Sequence, residues 1–331
     1  MNNKKYGFYG RLKKEFPSQI IVDITEKCNL SCIHCQHSEF FKSTHYRGTD
    51  MEAGINTKLV QEVRKEGEKF TEYLRYSSDG EPLLHPNAYQ FIHEAIQDSG
   101  VPVTLTTNGT RIDHEKMQSL FEEGLFLIDI SVDAFSPDTY KKIRVGGHLE
   151  KARENILRMI QYRNKTDSKT RIIVSFIEQR ENFHETAPFQ TYWESQGADF
   201  VVIRRLHSNA GAIQLLAKDL WKSSQNIQRK PCVYPWERIC LKPDGTLHYC
   251  PASWTKGAYI SDFHTTSIKD TWASVQYNKL RDAHVANNYS AFPMCDHCPD
   301  WIQIRWPDEG RSYANMIEDF SDKKEDIRGS K

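Results

Sequence analysis

Three cysteines, Cys28, Cys32 and Cys35, follow directly on a short β-rich run, Ile20–Thr25, and no further cysteine occurs until Cys232. This placement constrains the fold more than any average property, because it requires three thiols to be presented together at one end of an extended segment. The other five, Cys232, Cys240, Cys250, Cys295 and Cys298, all lie in the last third of the chain. The opening residues, MNNKKYGFYGRLKKEF, contain no apolar signal core. The most apolar stretch, Gly124 to Val132, is too short to span a bilayer and contains Asp129. The expectation is a soluble cytoplasmic protein with no membrane partner, in a compartment that keeps thiols reduced. Eight cysteines at ligand-like spacings then point to metal rather than to disulfides.

The cysteine-free middle alternates between two periods. β-rich runs occur at Ile20–Thr25, Tyr73–Ser77, Val103–Thr107, Phe126–Val132, Arg171–Ile177 and Phe200–Arg204. Between them apolar residues recur at helical spacing: Leu59, Val63 and Phe70; Ala88, Ile92, Ala95 and Ile96; Met117, Leu120 and Phe121; Ala152, Ile156, Met159 and Ile160. Strands alternating with helices predict a parallel sheet with right-handed crossovers, covered on both faces. The expected fold class is α/β, a partial (β/α)6 barrel, with ligands at the carboxyl ends of the strands. The composition suits this: of 331 residues, 38% are hydrophobic and 27% charged. Lys and Arg balance Asp and Glu at 44 each, which argues against a nucleic-acid partner held by net charge.

From about Gln225 the texture changes. Pro231, Pro235, Pro243, Pro251, Pro293 and Pro299 interrupt the helical pattern, and Trp254, Trp272, Trp301 and Trp306 cluster here. Ile239–Lys242 and Thr246–Cys250, joined by Pro243-Asp244-Gly245, predict a hairpin. The expected organisation is an extension over 1–19, a barrel over 20–224, a small metal-stabilised domain over 225–311, and a polar tail over 312–331.

The first cluster has the spacing C-x3-C-x2-C. Three thiolates can hold three corners of an iron–sulfur cube, or zinc with His34 or His37 as fourth ligand. In the second region Cys232 and Cys250 bracket the hairpin, and Cys295 and Cys298 form C-x2-C. Four such thiols suit either a structural zinc or a cube. Cys240, between Ile239 and Leu241, is left over.

These motifs together resemble the radical S-adenosylmethionine (SAM) superfamily, over about Ile20 to Arg205. CxxxCxxC after the first strand is its signature, here with His34 where an aromatic residue usually stands. Ser78-Asp79-Gly80-Glu81-Pro82 is similar to its GGE motif, with Asp79 replacing the first glycine. Thr106-Thr107-Asn108-Gly109 resembles another strand-end turn of the superfamily. The resemblance implies that Cys28, Cys32 and Cys35 ligate a [4Fe-4S] cluster with one iron open to SAM. It also implies SAM contacts from Gly80, Glu81, Asn108, Ser131 and Arg144, with adenine near Val174 to Ile177. Cys232-Val233-Tyr234-Pro235-Trp236, Asp244-Gly245 and Cys250 resemble the SPASM or shorter "twitch" extension. That implies one auxiliary [4Fe-4S] cluster on Cys232, Cys250, Cys295 and Cys298, as in aminocyclitol dehydrogenases.

The function so implied is reductive SAM cleavage, then hydrogen abstraction from a C–H bond of a hydroxyl-rich small molecule, a sugar or aminocyclitol. Loss of a proton and an electron gives oxidation. Return of a hydrogen by Cys240, as in some related epimerases, gives epimerisation. Arg204, Arg205 and His207 follow the sixth strand, and Arg205 is the candidate substrate contact. An electron donor such as flavodoxin or ferredoxin is the expected protein partner. Modification of a ribosomal peptide is the alternative reaction, and a non-enzymatic zinc or iron–sulfur binding module the alternative of another class.

Overall fold

The computed structural model describes residues 6–77, 79–252, 257–310 and 315. Ser78, Trp254 and, apart from Asn315, the expected tail 312–331 lie outside the described residues.

Six strands, β1 (Gln19–Val22), β2 (Tyr73–Tyr76), β3 (Val103–Thr107), β4 (Leu127–Ser131), β5 (Arg171–Glu178) and β6 (Phe200–Arg205), run parallel in sequence order. Helices including Ala53–Glu62, Ala88–Asp98, His114–Glu123, Leu149–Thr166 and Thr186–Ser195 connect them. This is the expected partial barrel; β6 is an edge and the ring does not close.

Beyond β1 the sheet continues. β7 (Arg238–Leu241) pairs parallel with β1, and β8 (Thr246–His248) and β9 (Tyr259–Asp262) follow antiparallel, making one nine-stranded sheet. The expected hairpin is thus β7 and β8, turned at Gly245 with φ +77°; β9 was not foreseen. β7 hydrogen-bonds to β1, so one sheet crosses the boundary expected after residue 224. One helical reading overran. Ala53–Glu62 continues as a π-turn, Val63–Gly67, and Phe70 lies beyond it. The chain stops there against Phe16, whose ring would lie 2.7 Å from a β-carbon at Gly67.

The pleat sorts the residues. On the outer face Ile20, Val22, Leu74, Tyr76, Leu105, Ile128, Ile130 and Val174 are buried with the helices in the main core. Each contributes about 1.5–3 kcal/mol by leaving water. On the inner face Tyr73, Leu127 and Ile173 form a separate small apolar layer with Phe126 and Val202. Above it the inner positions turn polar. Asp129, fully buried, accepts from Arg204 and Ser175 and pairs with Arg75 at 3.5 Å, and Arg75 Nε donates to Thr106 at 3.0 Å. The sheet therefore wraps a hydrophilic interior whose upper end carries the strand-end loops.

Candidate active site

The first thiol loop leaves β1 and is strapped to the end of helix Pro137–Ile143. Ser31 N donates to Val145 O at 2.9 Å, and Ile33 N to Ile143 O at 3.0 Å. Cys32 is buried, and Cys28 and Cys35 are partly so. Burial, with the neighbouring Glu81 carboxylate at Cys28 and the other thiols, pushes the thiols of Cys28 and Cys35 up to about 12. Such thiols ionise only against a compensating cation, which is the behaviour of metal ligands. The two imidazoles considered for zinc are engaged elsewhere. His37 Nε2 lies 2.7 Å from Glu26 O, while His34 contacts Gln179 at 3.2 Å and Asp133 at 3.4 Å. Burial lowers His34 to about 4, so it is neutral near pH 7.

The strand ends surround this loop. At Gly80 a β-carbon would stand 2.0 Å from Thr25 O and 2.8 Å from Lys27 O, so only glycine allows the β2 turn to seat on the thiol loop. Glu81 N donates to Lys27 O, and its buried carboxylate accepts from Thr107 Oγ1 at 2.6 Å and Asn108 N at 2.7 Å. Glu81 thus ties β2 to the turn after β3, where Asn108 Nδ2 reaches Asn29 Oδ1 at 3.0 Å. Ser131 ends β4 in register with Ser175 of β5. Arg144, which the resemblance makes a SAM contact, is buried. It pairs with Asp133 and lies 3.6 Å from Cys32 Sγ.

The second thiol set gathers Cys232, before helix Tyr234–Glu237, with Cys250 after β8 and Cys295 and Cys298 at helix Pro293–Asp296. Burial raises all four, and each is raised further by at least one neighbour in the set except Cys295, which stands at about 11. Four neighbouring thiols, Cys295 buried and the other three partly so, suit a cluster of iron and sulfide, which supplies the positive charge they lack. Among the described residues, no three His, Cys, Asp or Glu side chains are drawn close enough to chelate a single ion.

A cavity of about 390 Å³ runs between the two sets. Cys35 and Gln36 of the first loop line it together with Cys232, Cys250, Cys295 and Cys298, and Gln36 Nε2 reaches Pro251 O, next to Cys250, at 3.4 Å. Cys240 does not line it. The residue is fully buried on β7, in register with Ile21 of β1, which does line it. Its thiol is pushed up to about 12, by burial first. Arg205 is exposed at the end of β6 and lines a second, adjoining cavity.

Several residues of this site were given no role from sequence, although Asp79 was noted in its motif. Asp133 holds Arg144, with a left-handed φ of +62° and its other carboxylate oxygen accepting Ile177 N at 2.7 Å. Asp79, Lys242 and Asp23 form a buried ion cluster, to which Gln36 donates from beside Cys35. The one available signal was an acidic residue in a glycine position of the turn. Lys242 gave none, because β7 pairs with β1 across more than two hundred residues.

Comparison with known proteins follows this geometry. The model of the radical SAM superfamily matches residues 22–189, and that of an iron–sulfur cluster-binding domain, SPASM, matches 232–299. A probable GTP 3′,8-cyclase of Methanococcus maripaludis is 33% identical over 46% of this chain and 47% of its own length. The chain thus spans about half the length of the cyclase relatives it matches first. A tungsten-containing aldehyde ferredoxin oxidoreductase cofactor-modifying protein of Pyrococcus furiosus is 26% identical over 84% of this chain and 86% of its own. Among solved structures, BtrN in complex with AdoMet and 2-DOIA aligns over 88% of this chain and 96% of its own, at 15% identity and TM-score 0.57. Streptococcus suis SuiB bound to precursor peptide SuiA aligns over 92% and 73%, at 12% and 0.62. Both share the fold.

Proposed function

The chain belongs to the radical SAM superfamily and carries a SPASM domain, and from that premise we propose that it oxidises a hydroxyl-rich small molecule held between its two thiol sets. SAM and [4Fe-4S] clusters are the cofactors of such enzymes, and when bound they supply a 5′-deoxyadenosyl radical that abstracts a hydrogen atom. In this reading Cys28, Cys32 and Cys35 hold the first cluster, and Cys232, Cys250, Cys295 and Cys298 the second. Gly80, Glu81, Asn108, Ser131 and Arg144 surround the SAM position.

The observation that carries the reading is the cavity reaching from Cys35 to the four distal cysteines. A substrate there faces the site of hydrogen abstraction on one side and an electron acceptor on the other. Loss of a hydrogen atom, then of a proton and an electron, converts an alcohol to a ketone. Cys240 supports the competing epimerisation less directly. It sits fully buried beside Ile21 on the inner face, and is not among the residues that line the cavity. The BtrN complex with 2-DOIA is compatible with a small cyclic substrate, and the SuiB complex with a peptide keeps peptide modification as the second reading.

The test is made without oxygen. The purified protein is expected to hold about eight irons from two cubes, and to release 5′-deoxyadenosine when given SAM and reduced flavodoxin or ferredoxin. Stoichiometric zinc without SAM cleavage would refute the assignment. Cys240→Ala then separates the outcomes: a dehydrogenase keeps turnover, whereas an epimerase cleaves SAM but loses product.

A further inference from the structure

The four distal thiols are not supported alike. Cys232, Cys250 and Cys298 each take a hydrogen bond from the backbone N–H two residues further on, that of Tyr234, Ala252 and Asp300 respectively. At Cys295 the support comes from side chains instead. Burial raises its thiol to about 11, and the Tyr249 hydroxyl and the Arg229 charge oppose the rise. One corner of the set therefore leans on a cation.

Arg229 stands between helix Gln214–Ser224 and Cys232. Its guanidinium covers the Tyr289 ring at 4.0 Å, donates from Nη2 to Cys295 O and from Nη1 to Asp296 O at 3.2 Å, and keeps Nε buried without a partner. These contacts are all to neutral groups, and among the described residues no carboxylate pairs with Arg229. A guanidinium does not lose its proton in a protein. A whole positive charge thus stands beside the set and lines the cavity with the four thiols. His284, 4% exposed and lining the same cavity, responds to it: burial first and Arg229 second push it down to about 3, so it adds no charge of its own near pH 7.

Other charges nearby are answered. Arg238 pairs with Glu237. Asp300, which after burial does most to raise Cys298, has its carboxylate held by Ser208 N at 2.7 Å and Ala210 N at 2.8 Å. At the first thiol set the arginine is Arg144, and Asp133 pairs with it, while the Glu81 carboxylate stands near Cys28. The first set meets a neutralised arginine, the second an unpaired one.

An iron–sulfur cluster that takes up an electron gains one negative charge. A fixed positive charge beside it favours the reduced form, and low dielectric strengthens the effect. We infer that Arg229 raises the reduction potential of the cluster held by Cys232, Cys250, Cys295 and Cys298, and so fits it to take an electron from a substrate in the cavity. This rests on the cluster assignment and the oxidation proposed above.

Redox titration followed by electron paramagnetic resonance tests this on the anaerobic, cluster-loaded protein, with no substrate and no turnover. SAM tells the two clusters apart: it should alter the signal of the first, which has an open iron, and leave that of the second unchanged. Arg229→Gln keeps a donor for Cys295 O and removes the charge. It should lower the second potential by about 59 mV, a tenfold shift for one electron, and leave the first where it was. Arg229→Lys keeps the charge and should retain most of the wild-type potential. An unchanged second potential in Arg229→Gln overturns the inference, as does a fall in Arg229→Lys equal to that in Arg229→Gln. Loss of the second cluster from Arg229→Gln, with iron dropping from about eight to about four per chain, makes Arg229 a structural brace and overturns it too. Iron, zinc and SAM cleavage are scored separately. Two clusters and SAM cleavage with no dependence on Arg229 refute this inference alone, and zinc on the distal thiols refutes the cluster assignment beneath it. A potential that follows the charge at position 229 while turnover gives an epimer refutes the oxidation alone.

Discussion

Lys242→Met should destabilise the protein in a pH-dependent way. Lys242 is 7% exposed, with Nζ paired to Asp79 and 3.4 Å from Asp23 Oδ2. Asp23 is raised from 3.8 to about 7, chiefly by burial, with Lys242 opposing the rise. An acid whose folded pKa exceeds its unfolded value holds more protons folded than unfolded between the two. Wild-type stability therefore falls as pH rises from 3.8 to about 7 and then levels off. At 1.36 kcal/mol per unit, the rise of roughly three units corresponds to about 4 kcal/mol across that window. Methionine fills the lysine stem but removes the cation. Asp23 then rises further, the decline extends past neutrality, and Asp79 is left buried without its counter-charge. Breaking a buried pair by removing one partner costs about 3–5 kcal/mol. Anaerobic thermal denaturation of the cluster-loaded protein, followed by circular dichroism, should show a drop on the order of 5–10 °C at about pH 8.5. The gap should narrow at about pH 5.5, where Asp23 is protonated in both proteins. The double variant Asp23→Asn, Lys242→Met should lose most of the pH dependence. A deficit that is constant across this range would refute the coupling of Asp23 to Lys242.

Gly80→Ala places a β-carbon 2.0 Å from Thr25 O, and backbone cannot yield as a side chain can. The variant should lose about 1–3 kcal/mol of stability and, measured by equilibrium dialysis, most of its SAM affinity. Arg144→Lys keeps a charge beside Asp133 and Cys32 but loses the planar guanidinium whose two amino groups reach them separately. Iron content should be retained, and SAM affinity should fall about tenfold; unchanged affinity would remove Arg144 from the SAM site. Arg144→Ala should fare worse, because Asp133 is then left buried and unpaired.

Much of this protein was legible from local pattern. All six barrel strands were found within a few residues, because parallel strands covered by helices read as apolar runs between helical periods. The cysteine spacings and the glycine at position 80 were equally legible, since ligand spacing and close backbone approach leave their mark within a few neighbouring residues. What could not be read was anything set by partners distant in sequence. Asp129 looks like one polar interruption in an apolar run until β2 and β6 bring Arg75 and Arg204 to it. Nothing near Arg144 in the sequence shows the ion pair with Asp133 or the burial against Cys32 that the fold gives it.

The amino-acid sequence by itself determined the chemistry available: seven thiols in two groups, the first of them directly after a strand whose place the alternation dictates. The tertiary structure decided where that chemistry is aimed. Register between β1 and β7 set Cys240 beside Ile21 on the inner face, joined the hairpin to the barrel, and set Lys242 between two carboxylates. Pleating of β2, β6 and β7, far apart in the chain, brought Arg75, Arg204 and Arg238 to the lining of one cavity. Spacing along a chain records which groups can share a metal, but only the packed sheet determines which charges face the same enclosed space, where low dielectric makes them count.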